Sequence, residues 1–234
     1  MTTWKKLQEE LMGRWDYYRH PDWRSSWGGP FNGQTKRQEL FQAILQKVSP
    51  RAIIETGAYR GTTTQHLAQT NLPVFTIEGD RRNYGFAKQQ LWRFTNTVLI
   101  FSDSREGLKQ ILDGPLRRDI DKPLFFYLDA HWNDDLPLSD ELEIVFSKCR
   151  RPIVMVDDFQ VPDDPGYSFD DYGPDKALTS DYISANVAKF GLKELYPAVS
   201  SQDETGERRG CIVLCKLGEF NDLLETDYLR TLVD

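Results

Sequence analysis

The chain has 234 residues, 39% of them hydrophobic and 28% charged, with a formal net charge of −7. That is enough for one α/β domain with a full core, too little for two of ordinary size, and too apolar for wholesale disorder. No run reaches the length of a membrane span or a signal-peptide core, no basic stripe marks a nucleic-acid surface, and three cysteines without paired spacing predict a reducing, cytoplasmic setting.

The charge is uneven. From Asp129 to Asp175 there are 13 acidic and 3 basic side chains, a local −10 that leaves the rest of the chain at +3. A solvated acidic loop explains most of these residues, and a cation site needs only a few of them.

Residues 1–31 read as a helical, aromatic extension and residues 32–234 as the domain it serves. Trp4, Leu7, Leu11 and Trp15 recur at helical spacing within residues 2–19, which predicts an amphipathic helix docked by that face onto the protein. The stretch HPDWRSSWGGPFNGQ that follows is rich in Gly and Pro and therefore irregular. Four of the six tryptophans, Trp4, Trp15, Trp23 and Trp27, fall in this segment, as rings that fasten an extension to a core. Trp23 and Trp27, in the irregular part, are the two to test as substrate contacts.

Residues 32–48 predict a helix with Leu40, Phe41, Ile44, Leu45 and Val48 on its apolar face. Ala52, Ile53 and Ile54 then form the tip of a buried strand, Glu55 to Gly61 turn the chain, and Thr62, Thr63 and Thr64 open a helix. Gly57 and Gly61 bring backbone close to a ligand, and the helix start offers N–H groups to its polar parts. The spacing G-x-x-x-G lacks the third glycine of a dinucleotide fingerprint, which disfavours a nicotinamide oxidoreductase. An acid two residues before G-x-x-x-G resembles motif I of the class I S-adenosylmethionine (SAM) methyltransferases. The resemblance implies a cofactor loop made of Glu55, Gly57, Tyr59, Gly61 and Thr62.

The next buried strand, VFTIEGD, ends at Glu78. Ligands of open parallel sheets bind at the carboxyl ends of the strands, so Glu78 is placed to accept ribose hydroxyl hydrogens, with a surface carboxylate as the alternative. Residues 81–94 predict a helix and TVLIFSDS the third strand, its tip carrying Ser102, Asp103 and Ser104. Asp103 resembles the family's adenine-binding acid and fits equally well as the cap of a helix over residues 105–112.

The fourth strand, PLFFYLDAHW, is continuously apolar over residues 124–128 and ends at Asp129, with His131 close behind. A helix over LPLSDELEIVFSKCR leads to a fifth strand, PIVMVDDF, ending at Asp157 and Asp158. If the two strands are neighbours their tips lie about 4.8 Å apart. Asp129, Asp157 and Asp158 could then converge on one ion with Mg–O bonds of roughly 2.1 Å, and three such carboxylates would repel without a cation. Capping and turn formation are the alternative, above all for Asp158. The Pro-, Gly- and Asp-rich stretch 163–175 predicts a lid or substrate wall, residues 176–190 a helix, LKELYPAV and GCIVLCK a closing strand pair, and residues 218–234 a short helix.

Over residues 32–216 the element order is similar to the Rossmann-like, doubly wound, seven-stranded methyltransferase fold, mostly parallel with a C-terminal antiparallel strand pair. LDAHW and MVDDF are like the segments that supply metal ligands in catechol O-methyltransferase and its relatives, and macrocin-type sugar O-methyltransferases look similar in the same places. The resemblance implies SAM as cofactor, Asp129, Asp157 and Asp158 as ligands of Mg2+ or a similar divalent cation, and methyl transfer to a small hydroxylated molecule with neighbouring oxygens: a sugar, a natural-product scaffold or a catechol. Two residues depart from the catechol pattern: Asp158 stands where an amide is found, and Asn133 stands near the catalytic lysine. His131 is then the nearest base, with Asp158 or the metal alone as alternatives. A metal-independent methyltransferase and a non-catalytic SAM-binding or assembly protein are the competing readings. Neither nucleic acid nor membrane is expected as a partner, and a homo-oligomer is compatible with the sequence.

Overall fold

The apolar run at residues 124–128 requires cover on both faces, and it becomes the centre of the sheet. The computed structural model describes residues 3–131, 135–221, 223 and 226–232. In chain order the strands are β1 (Ile53–Thr56), β2 (Val74–Glu78), β3 (Thr97–Phe101), β4 (Pro123–Leu128), β5 (Arg151–Asp157), β6 (Leu192–Pro197), β7 (Cys211–Lys216) and β8 (Leu229–Arg230). They form one sheet in the order β3-β2-β1-β4-β5-β7-β6-β8. The pairs from β3 through β5 are parallel, and β7 pairs antiparallel with both β5 and β6.

Two hydrophobic layers sandwich this sheet. Leu124, Phe126 and Leu128 of β4 point into one, which also holds Leu108 and Ile111 of α5 (Ser104–Asp113), Leu142 of α6 (Leu138–Lys148) and Ile183 of α7 (Ser180–Phe190). Phe125 and Tyr127 point into the other, with Leu40, Phe41 and Ile44 of α2 (Thr35–Val48) and Leu67 of α3 (Thr62–Ala68). Phe31, from the extension, is fully buried in this second layer among Phe41, His66 and Tyr127.

Strand order reverses between β1 and β4, the position where open α/β sheets leave a crevice. Helix α4 (Arg81–Gln90) flanks that crevice, and α1 (Thr3–Arg19) packs along α4.

Three expectations change. The apolar face of α1 is turned outward: Trp4, Leu7, Leu11 and Trp15 are exposed, while Gly13, Asp16 and Tyr17 face α4. The helices are close because both contacts are glycines. A Cβ on Gly13 would lie 1.9 Å from the Arg82 carbonyl oxygen, and one on Gly85 would lie 2.1 Å from that of Glu10. Residues 218–232 hold no α-helix among those described and instead supply β8, an eighth strand paired antiparallel with β6. Helix α7 begins at Ser180 rather than at residue 176, because the Lys176 N–H closes a turn on Gly173 and Thr179 caps the helix. No helix among the described residues is long and apolar enough to cross a membrane.

The seat of α1 is testable. Gly85→Ala is expected to cost about 1–3 kcal/mol through overpacking, measured by urea unfolding; an unchanged midpoint would mean that α1 does not rest on this contact.

Candidate active site

The reversal point holds a cleft of about 780 Å3. Its floor is the join between β1 and β4. Gly57 follows β1 with φ 80°, and a Cβ there would stand 2.0 Å from the Asp129 carbonyl oxygen. Only glycine therefore lets the two strand ends lie side by side at this turn.

One end of the cleft is built from the glycine turn and the tips of β2 and β3. Gly57, Tyr59, Thr62, Glu78, Asp103 and Ser104 all line it. The Glu78 carboxylate is buried and accepts N–H groups from Tyr59 at 2.6 Å and Asp80 at 2.7 Å. Burial pushes its pKa up to about 7 despite those two donors. Asp103 caps α5 through the Arg105 N–H at 3.0 Å and also pairs with the Arg105 guanidinium, which holds its pKa below the ordinary value. Asp103 is thus the cap of α5, and it also lines the cleft.

Glu55 and Gly61 do not line the cleft. Glu55 is buried beneath the turn, where the hydroxyls of Thr64 and Thr76 donate to it, and burial raises its pKa to about 7. It ties β1 to β2 and α3. Several N–H groups of the turn are also engaged: those of Gly57 and Ala58 bond the Ile77 carbonyl at 3.0 Å, and that of Gly61 bonds Ala58.

The other end gathers acids around an imidazole. His131 is buried, and its Nε2 lies 3.7 Å from Asp129 Oδ1, Asp158 Oδ2 and Asp170 Oδ2. That is beyond hydrogen-bond length, so the nitrogen has no partner among the described residues. Burial disfavours the imidazolium, but the three carboxylates outweigh it and raise the His131 pKa. Burial also drives the Asp129 pKa upward, opposed by His131 and reinforced by Asp158. Asp158 behaves oppositely: burial would raise it, yet His131 and Arg209 bring it to about 2. Arg209 Nε donates to Asp158 at 2.6 Å, and its Nη2 pairs with Asp170. Donor atoms of Asp129, His131 and Asp158 lie within 4.8 Å of one another.

Asp157 is absent from this group. Strand alternation sends it to the same face as Ile153 and Met155, where Arg37 of α2 is buried against it. The Tyr127 hydroxyl and the Asn32 amide, at 3.0 Å, donate to the same carboxylate. Asp158, one residue on, leaves the strand with φ 52° and turns into the cleft. The ion-binding trio expected at the strand tips is therefore replaced, as a geometric cluster, by Asp129, His131 and Asp158.

Arg209 and Asp170 carry no motif that marks them in the sequence. The local −10 asks for a cation from elsewhere in the chain, and the residues just before β7 lie beside the tip of β5, since Cys211 pairs with Asp157. Gln34 fixes Arg209 further: its amide donates to the Arg209 carbonyl at 3.0 Å and accepts the Arg209 N–H at 3.1 Å. Trp27 lines the cleft, whereas Trp23 stacks on His20 at 4.1 Å with the Arg60 guanidinium over it at 4.0 Å, fastening the extension to the glycine turn. Asn133 lies outside the described residues.

Removing Asp157 strands a buried guanidinium. Asp157→Ala is expected to cost about 3–5 kcal/mol in chemical unfolding, well above the loss in Asp158→Ala; equal losses would show that Asp157 is no more a structural anchor than its neighbour.

No family model matches the chain, and no curated protein matches it. Solved structures do. A candidate O-methyltransferase from Klebsiella pneumoniae aligns at 17% identity and TM-score 0.52 over 77% of this chain and 80% of its own. A candidate caffeoyl-CoA O-methyltransferase from Staphylococcus aureus aligns at 16% and 0.53 over 77% and 82%. The methyltransferase domain of bacterial CtHen1 aligns at 15% and 0.52 over 78% and 98%. At such identities the likeness is one of architecture: the chain has the fold of the class I SAM-dependent methyltransferases.

Proposed function

We propose that the protein is a SAM-dependent O-methyltransferase in which Asp129 and Asp158 hold a divalent cation and His131 accepts the proton of the substrate hydroxyl. The observation that carries this reading is the continuity of the cleft: the Gly57–Tyr59–Glu78 end and the Asp129–His131–Asp158 end line a single space of about 780 Å3, within the range that holds a small-molecule ligand. Cofactor and substrate would meet there without crossing solvent.

The acidic end fits a cation by its chemistry. Three carboxylates surround a buried imidazole nitrogen that has no partner among the described residues, and Arg209 neutralises only part of their charge. Carboxylate oxygens suit Mg2+ or Mn2+. Bound SAM supplies the electrophilic methyl group, and a bound divalent cation supplies a Lewis acid that lowers the pKa of a nearby hydroxyl.

The chain's own groups do the rest. Glu78 accepts ribose hydroxyl hydrogens in its ionised form, Asp103 and Ser104 line the adenine end, and the Gly57 turn holds the amino-acid portion. His131 Nε2, which faces Asp129, Asp158 and Asp170 at 3.7 Å and has no hydrogen-bond partner among the described residues, takes the proton. Trp27 and Tyr172 line the same cleft, Tyr172 with its hydroxyl donating to Asp170, and aromatic faces beside oxygen-seeking groups suit two neighbouring hydroxyls of a sugar, a natural-product scaffold or a catechol. One observation favours a metal-independent variant of the same reaction: Arg209 already pairs with both Asp158 and Asp170.

EDTA is expected to abolish methyl transfer to a vicinal-diol or catechol acceptor and Mg2+ or Mn2+ to restore it; activity indifferent to EDTA selects the metal-independent variant. His131→Asn is expected to lower kcat by about 10²–10³-fold while cation affinity by calorimetry stays unchanged. Lost cation affinity would make His131 a ligand instead.

SAM affinity carries its own pH signature. Glu78 titrates near 7 in the free protein and binds ribose as the carboxylate, so affinity is weakened as pH falls through that value. The expected change is about tenfold weaker binding at pH 6 than at pH 8, flattened in Glu78→Gln. A pH-independent affinity in the unaltered protein would take Glu78 out of the cofactor site.

A further inference from the structure

Helix α1 turns Glu10 and Asp16 toward α4 and its row of large apolar side chains outward. Glu10 pairs with Arg14 and Lys88, and Asp16 pairs with Arg82, all on or beside the α4 side. On the opposite side Trp4 is 83% exposed, Leu7 50%, Leu11 53%, Trp15 65% and Tyr18 61%. These five residues form one straight stripe along a helix of about 25 Å. Their exposed surface is roughly 700 Å2, more than monomers commonly leave open and close to one partner's share of a standard interface.

The spacing of the stripe is symmetric about Leu11. Trp4 and Tyr18 lie seven residues to either side, and Leu7 and Trp15 lie four. A sequence with that property can pair with itself in antiparallel fashion: a two-fold axis through Leu11 sets Leu11 on Leu11, Leu7 on Trp15 and Trp4 on Tyr18, small against large at the inner step and ring against ring at the outer one. Such self-complementarity is the mark of an isologous contact, and antiparallel helices also oppose their dipoles favourably. A lipid surface would accept the same apolar stripe but has no use for its symmetry.

We infer that the outer face of α1 is a homodimer interface, occupied by α1 of a second copy of this chain running antiparallel about Leu11. The close Gly13–Gly85 seat gives that helix a fixed orientation on the body, so the dimer joins two rigid domains rather than two loose tails.

Light scattering after gel filtration tests the inference on the full chain. The expected mass is twice 27.2 kDa, and Leu11→Glu, at a position exposed in the single chain, is expected to give a monomer that still unfolds in one cooperative transition, with a midpoint that no longer depends on protein concentration. Cysteine cross-linking reads the register, because Cys149, Cys211 and Cys215 are all buried. Leu11→Cys should cross-link with itself, whereas Leu7→Cys should cross-link with Trp15→Cys in a mixture and not with itself. Self-linking by Leu7→Cys would overturn the antiparallel register. A monomer at about 100 μM, or a dimer that survives Leu11→Glu, would overturn the interface. A monomer that sediments with phosphatidylserine–phosphatidylcholine vesicles would overturn it in favour of a lipid surface.

Discussion

The constraint on which the cleft depends is the contact between the turn after β1 and the end of β4. Gly57 stands where any side chain would strike the Asp129 carbonyl, and because it has none the two strand tips meet at the point where strand order reverses. Both ends of the cleft depend on that approach. The turn that follows Gly57 carries Tyr59, whose N–H orients Glu78, and the chain that follows Asp129 carries His131. A cofactor loop and an acidic centre that are far apart in sequence become walls of one space.

A second constraint is electrostatic. Arg37 and Asp157 are both buried, a costly arrangement that is tolerable only with full pairing, which Tyr127 and Asn32 complete. The same short segment of chain, residues 32–37, also holds the Arg209 backbone through Gln34 and Arg37. Residues 32–37, leading into and opening α2, therefore set the positions of the two groups that flank the cleft on its acidic side: Asp158, one residue beyond the locked Asp157, and Arg209. Local environment separates the acids further: burial raises Glu78 to about 7, whereas His131 and Arg209 bring Asp158 to about 2 against its burial, so one end of the cleft can change charge near neutrality while Asp158 stays an anion.

The frame is legible in the sequence because strands covered on both faces must be continuously apolar and because each strand tip that bears an acid ends such a run. The five strands from β1 to β5, the placement of Glu78, Asp103, Asp129 and Asp158 on the cleft, and the antiparallel closing pair all follow from that pattern. What is not legible depends on side-chain direction. Asp157 and Asp158 are adjacent in sequence and look equivalent, but strand alternation sends the first to Arg37, while a left-handed residue sends the second to His131. Arg209 belongs to a polar turn that only the antiparallel pairing of β7 with β5 brings to the site. For α1 the periodicity identifies the helix and its apolar face correctly, but the direction of that face is set by two glycines that the hydrophobic pattern ignores.

Whether one cleft holds SAM and a divalent cation together is tested most directly by a crystal grown with SAM and Mn2+ and measured at the manganese absorption edge. The expected result is adenosine density with its ribose on Glu78 and one anomalous peak shared by Asp129 and Asp158 beside His131. SAM bound outside this cleft, or SAM in place with Mn2+ only at other carboxylates, would contradict it.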